Sequence, residues 1–204
     1  MVAEAASTST QIMNVSPVVT DMNERWDGFA TELRSSDPDR VNDVVDEIKG
    51  MDLDERVELF DVCFDGLTEI YAESDDGYVR QSVVRVAERL VPEYPVVMAA
   101  ADDDRSLGKD IEEVRVQTDR LCGFLLEAVT DEDGRVRQAA KGGLKNVFRT
   151  YEALEDEGTI ESLALELEEM AADNSGKRRK HLLEAKEDAE FFMQSSLERI
   201  LDGL

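Results

Sequence analysis

Of the residue types that most often carry catalysis or hold metals, the chain has one His, two Cys and 48 acidic side chains among 204 residues. A Ser-His-Asp or Cys-His arrangement would have to use His181, and no nucleophile elbow or cysteine-enzyme signature accompanies any Ser or Cys. His181 follows the basic run Lys177–Lys180 and is expected as an exposed polar residue, with a phosphate contact as the functional alternative. Cys63 and Cys122 fall near apolar positions and read as buried reduced thiols rather than a disulfide or a reactive nucleophile. Two Cys and one His cannot supply an ordinary zinc site, nor the paired Glu-x-x-His motifs of a di-metal bundle. No segment has the ligand register of a calcium loop, and Gly108-Lys109-Asp110 lacks the upstream glycine and the hydroxyl of a phosphate loop. The expectation is no catalytic residue, no metal and no cofactor.

The acids are spread along the chain, which carries a formal net charge of -25. Asp (23) nearly equals Glu (25), and Arg (16) exceeds Lys (7), a balance that resembles cytoplasmic proteins of salt-adapted microbes. Most carboxylates, including Glu168–Glu169 and Asp102–Asp104, therefore read as hydrated surface. No apolar run reaches membrane-span length, and residues 1–10 lack the pattern of a secretory signal, so a cytoplasmic location is expected.

The basic minority is segregated. Residues 77–91, 134–150 and 177–187 together carry +10, which leaves -35 on the rest. Arg137, Lys141, Lys145 and Arg149 recur every four residues, along one side of a helix. Lys177–Lys180 occupy a first helical turn, where the macrodipole disfavours cations. Two arrangements fit: an open basic groove, or internal pairing with neighbouring acidic helices. The groove would comprise Arg85, Arg89, Arg137, Lys141, Lys145, Arg149, Lys177, Arg178 and Lys180.

These residues must be positioned by helices, because apolar spacing is helical nearly throughout. Residues 1–20 read as a flexible arm, followed by a helix capped at Asp21–Glu24 with Met22, Trp26, Phe29, Ala30 and Leu33 inward. Asp37-Pro38 starts a second helix carrying Val41, Val44, Val45 and Ile48. A third begins at Asp52 with the stripe Leu53, Val57, Phe60, Phe64, Leu67, Ile70 and Tyr71. A fourth runs from Gly77 with Val79, Val83, Val86, Ala87 and Leu90. Residues 92–106 read as an insertion, with a short helix at 96–101. Further helices are expected over 107–129, 134–154, 159–172 and 177–201. Gly142 and Gly143 inside one of them imply close backbone packing, or less favourably a ligand contact.

Self-similarity settles the expected architecture. Asp76-Gly77-Tyr78-Val79-Arg80-Gln81 matches Asp133-Gly134-Arg135-Val136-Arg137-Gln138 in five of six places at an offset of 57. Weaker copies start at Asp37 and Ser175, offset by 38 and 42. An Asp-rich turn followed by Val-Arg resembles the HEAT-like repeat family, including its short lyase-type subclass, across residues 21–201. The quoted residues are Asp75, Asp76, Val79 and Arg80, then Asp131, Asp133, Val136 and Arg137. Asn42 and Arg178 depart from the pattern in the end units, as capping repeats do.

The resemblance implies an all-α HEAT-like solenoid of about four helix–turn–helix units, over 21–50, 52–91, 107–154 and 159–201. It also implies a structural ladder of turn Asp and helix Arg between units: Asp75, Arg80, Asp133 and Arg137. The expected function is a non-enzymatic protein-binding scaffold that captures an acidic partner surface on its basic inner face. The alternative is nucleic-acid binding or repair, by analogy with HEAT-like DNA glycosylases. Overall charge opposes it, and the second helices offer mainly Tyr78, Phe148 and Tyr151 for base stacking.

Overall fold

A computed structural model describes residues 17–91 and 111–202. Residues 1–16 of the expected arm, the 92–106 insertion with its 96–101 helix, and 107–110 lie outside the described residues. Among the described residues the fold is all-α, with eight helices and no strand. They are α1 (Pro17–Arg34), α2 (Pro38–Gly50), α3 (Leu53–Glu73), α4 (Gly77–Leu90), α5 (Ile111–Ala128), α6 (Gly134–Ala153), α7 (Glu157–Asp173) and α8 (Gly176–Asp202).

Local chemistry fixes most starts. The Asp37 carboxylate accepts from the Asp39 and Arg40 N–H groups, with Pro38 in the first turn. Asp76 and Asp133 cap α4 and α6 by accepting from the Tyr78 and Arg135 N–H groups. Asp52 precedes α3 without making a side-chain cap bond. The first helix departs from expectation: it already runs at Pro17, so Asp21 is inside it rather than capping it. A proline is tolerated there because the first-turn N–H groups have no intrahelical partner to lose. Likewise α7 begins at Glu157, because Asp156 accepts from Thr159 N–H and takes the cap position ahead of the expected start.

Helices two apart pack on one another. α2 lies against α4, α4 against α6 and α6 against α8, while α1 lies against α3 and α3 against α5. The apolar stripes meet between these two sets and make one continuous core. Val41, Leu59, Phe60, Leu67, Leu90, Leu125, Leu144, Phe148 and Ile160 are fully buried in it. Gly143 is required by this packing, because a Cβ there would lie 2.8 Å from Leu125 Cδ1. Gly142 is not: nothing lies within 4 Å of its missing Cβ. Trp26 packs against this core, with its indole over Gly66 of α3.

Candidate functional site

Of the expected Asp–Arg ladder, only Arg80 meets a turn carboxylate, and that carboxylate is Asp131 rather than Asp75 or Asp133. Arg80 Nε and Nη2 donate to the two oxygens of Asp131 at 2.8 and 2.9 Å, and its Nη1 donates to the Ser74 carbonyl at 2.8 Å. The Tyr71 hydroxyl and the Asp133 N–H, each at 2.7 Å, complete the coordination of Asp131. Burial pushes the Asp131 carboxyl up, yet the bonds from Arg80, Tyr71 and the Asp133 N–H outweigh it and hold the group below the ordinary range. Asp133, the expected rung, is used locally instead. It caps α6 and pairs with Arg135 at 2.7 Å, and those bonds lower its pKa to about 2. Its carboxylate also fills the space where a Gly77 Cβ would be, so only glycine fits at the start of α4. Asp75 is exposed at the α3–α4 turn and is not the partner of Arg80.

Three of the four cations in the row on α6, Arg137, Lys141 and Lys145, meet side chains of α8. Lys141 Nζ pairs with Glu184 at 2.7 Å, and Lys145 Nζ pairs with Asp188 at 3.3 Å, one helical turn further on. Lys180 joins the first pair, 3.5 Å from Glu184. Arg137 was expected in a groove but is only 5% exposed. Its Nη1 donates to the Asp131 and Glu132 carbonyls at 2.6 and 2.7 Å, and its Nε to His181 Nδ1 at 3.1 Å. His181 is therefore half-buried and bonded, not a freely exposed residue. Arg149 is half-buried on α6, Arg89 is exposed at the end of α4, and Lys177, Arg178 and Lys180 lie on the first turns of α8.

A cleft between α4 and α6 is open, a groove of about 690 Å³. One wall is Gln81, Arg85 and Glu88 of α4, and the other is Arg135, Gln138 and Gly142 of α6, with Ala139 in the floor. Its two carboxylates are already engaged: Asn146 Nδ2 donates to Glu88 at 2.6 Å, and Arg135 holds Asp133. Arg85 has no hydrogen bond or ion pair among the described residues, although it lies near enough to Asp46 to lower that carboxyl, behind the larger effect of Lys49. The groove thus offers a guanidinium, two amide side chains that both donate and accept, and at Gly142 a stretch of bare helix backbone.

Arg135, Gln138 and Gln81 were absent from the expected groove, but two of them were visible in the sequence. Gln81 and Gln138 are the last matched pair of the internal repeat, and the packing of α4 on α6 brings the two copies together.

The cysteines have no place in this chemistry. Both are buried and free, and burial pushes each thiol up to about 12. Among the described residues no group of three or more His, Cys, Asp or Glu is placed to hold a metal ion. Nor is any described helix long and apolar enough to cross a membrane. No family model matches this chain, and neither does any curated protein or solved structure.

Proposed function

We propose that the protein is a non-enzymatic binding scaffold, a HEAT-like solenoid in a salt-rich cytoplasm, whose α4–α6 groove captures an acidic segment of a partner protein. The observation that carries this reading is Arg85: a half-exposed guanidinium without an ion pair among the described residues, in a chain of net charge -25. Apart from its weaker pull on Asp46, this guanidinium has no partner among the described residues, and a carboxylate is its natural bidentate ligand. Gln81 and Gln138 flank it on opposite walls and can each bond a peptide amide as donor or acceptor. The basic rows on α6 and α8 do not enter this reading as binding surface, since Lys141 and Lys145 are engaged by Glu184 and Asp188.

At molar salt, attraction between charges is screened within about 3 Å, so capture must rest on close contact rather than long-range steering. The test is affinity capture at high salt with the wild-type chain and Arg85→Glu in parallel, bound proteins being identified by mass spectrometry. An acidic protein retained by the wild type and lost with the variant is the expected result. Identical retention by both refutes the assignment to the groove. Fluorescence anisotropy with duplex and single-stranded DNA over a salt series is the companion measurement. Salt-sensitive micromolar DNA binding that Arg85→Glu abolishes would replace the protein-scaffold reading with the nucleic-acid one.

A further inference from the structure

Arg80 and Arg137 are repeat equivalents, and their guanidinium groups are held alike on one edge and differently on the other. In each, Nη1 donates to the carbonyl six residues back, Ser74 for Arg80 at 2.8 Å and Asp131 for Arg137 at 2.6 Å. On the other edge Arg80 meets a carboxylate, whereas Arg137 meets the Nδ1 of His181 at 3.1 Å. An arginine only donates and does not lose its proton in a protein, so this bond exists only while Nδ1 carries no hydrogen, that is, with His181 neutral and protonated at Nε2.

We propose that the Arg137–His181 contact is an acid-sensitive joint: a proton taken up at Nδ1 turns the acceptor of a buried guanidinium into a second cation and loosens the first turns of α8 from α6. His181 is half-buried, so solvent protons reach it. The charged groups facing it are Arg137 and Lys141 from α6, with Lys180 and Glu184 from α8 itself. The turn before α6 contributes backbone carbonyls, which are occupied by Arg137. Glu184 is the single acid in this set and is held by Lys141 and Lys180. Burial first, then Arg137, Lys141 and Lys180, lower the His181 pKa from 6.5, against the opposing pull of Glu184. The release is local, because Leu182 and Ala185, next along α8, are fully buried and keep the helix anchored.

The sign follows from linkage. A histidine whose folded pKa is lowered contributes stability that is complete above its unfolded value near 6.5 and is lost as the pH falls through the folded value. The chain has one histidine, so its ring C–H resonance is unambiguous. In a titration of the wild-type protein followed by NMR, that resonance should give a midpoint below 6.5, and the amides of Lys177–Lys180 should shift with the same midpoint. Arg137→Gln should raise the midpoint towards 6.5, and His181→Gln should abolish the coupled amide shifts while keeping an acceptor in place. A wild-type midpoint at or above 6.5, or amides in that turn that ignore it, overturns the proposal without need of either variant.

Discussion

Replacing Asp131 with alanine removes the acceptor of four bonds at once: two from Arg80, one from the Tyr71 hydroxyl and one from the Asp133 N–H. The side chains of Arg80 and Asp131 are 15% and 6% exposed, so water cannot readily take over the lost contacts. The variant leaves a largely buried guanidinium with one carbonyl, that of Ser74, and a tyrosine hydroxyl without its acceptor. Breaking a buried pair from one side costs about 3–5 kcal/mol, most of it the uncompensated charge. With a urea dependence of roughly 2 kcal/mol per molar, the midpoint should fall by roughly 2 M.

Urea unfolding followed by circular dichroism measures that shift, with Asp65→Ala as the control. Asp65 pairs with Arg120 at 2.6 Å but is 86% exposed, and its loss should cost no more than about 1 kcal/mol. The double variant Arg80→Met/Asp131→Leu should recover much of the loss, since it leaves no buried charge unpaired. The pH dependence has a definite sign as well. Asp131 titrates below its ordinary value, so its stabilisation is present above the usual carboxylate range and is lost as the pH falls. The wild type should therefore lose stability on acidification more steeply than Asp131→Ala. A loss no larger than that of the Asp65 control would refute the Arg80–Asp131 pair as a structural element.

Three further outcomes follow from single contacts. Gly143→Ala should destabilise by about 1–3 kcal/mol through its collision with Leu125, whereas Gly142→Ala should stabilise by about 0.5–1 kcal/mol because its Cβ meets nothing; thermal melts of the two variants read the difference. Cys63 and Cys122 should resist a thiol reagent in the native protein and react together on unfolding, and fast native labelling of either would contradict their burial. Adding salt should raise the melting temperature, because it screens repulsion within a chain of net charge -25; a fall between 0.1 and about 1 M salt would count against the salt-adapted reading.

The parts legible in the sequence were those fixed within one turn of chain. Asp37-Pro38, Asp76-Gly77 and Asp133-Gly134 announce helix starts because a carboxylate reaches N–H groups two or three residues on. The stripes on α2, α3 and α4 were equally plain, because burial follows their 3.6-residue period. Contacts across tens of residues were not. Asp131 and Asp133 stand two apart in one turn, and only the approach of α4 decides that the first receives Arg80 while the second caps α6. Segregated charge was visible, but Lys141 and Glu184 are 43 residues apart, so pairing and an open groove were equally compatible with the pattern. The start of α1 at Pro17 was missed because Asp21–Glu24 offers a cap pattern within a helix that has already begun.

The binding claim itself is tested most directly by mapping where an acidic chain touches the protein. Isotope-labelled wild-type protein titrated with a synthetic polyglutamate peptide, followed by amide NMR, should show perturbations centred on Gln81, Arg85, Arg135, Gln138 and Gly142, with Arg85→Glu removing them. Perturbations confined to Lys177–Lys180, or none at peptide concentrations up to about 1 mM, a dissociation constant at the weak limit of specific recognition, would contradict capture in the α4–α6 groove.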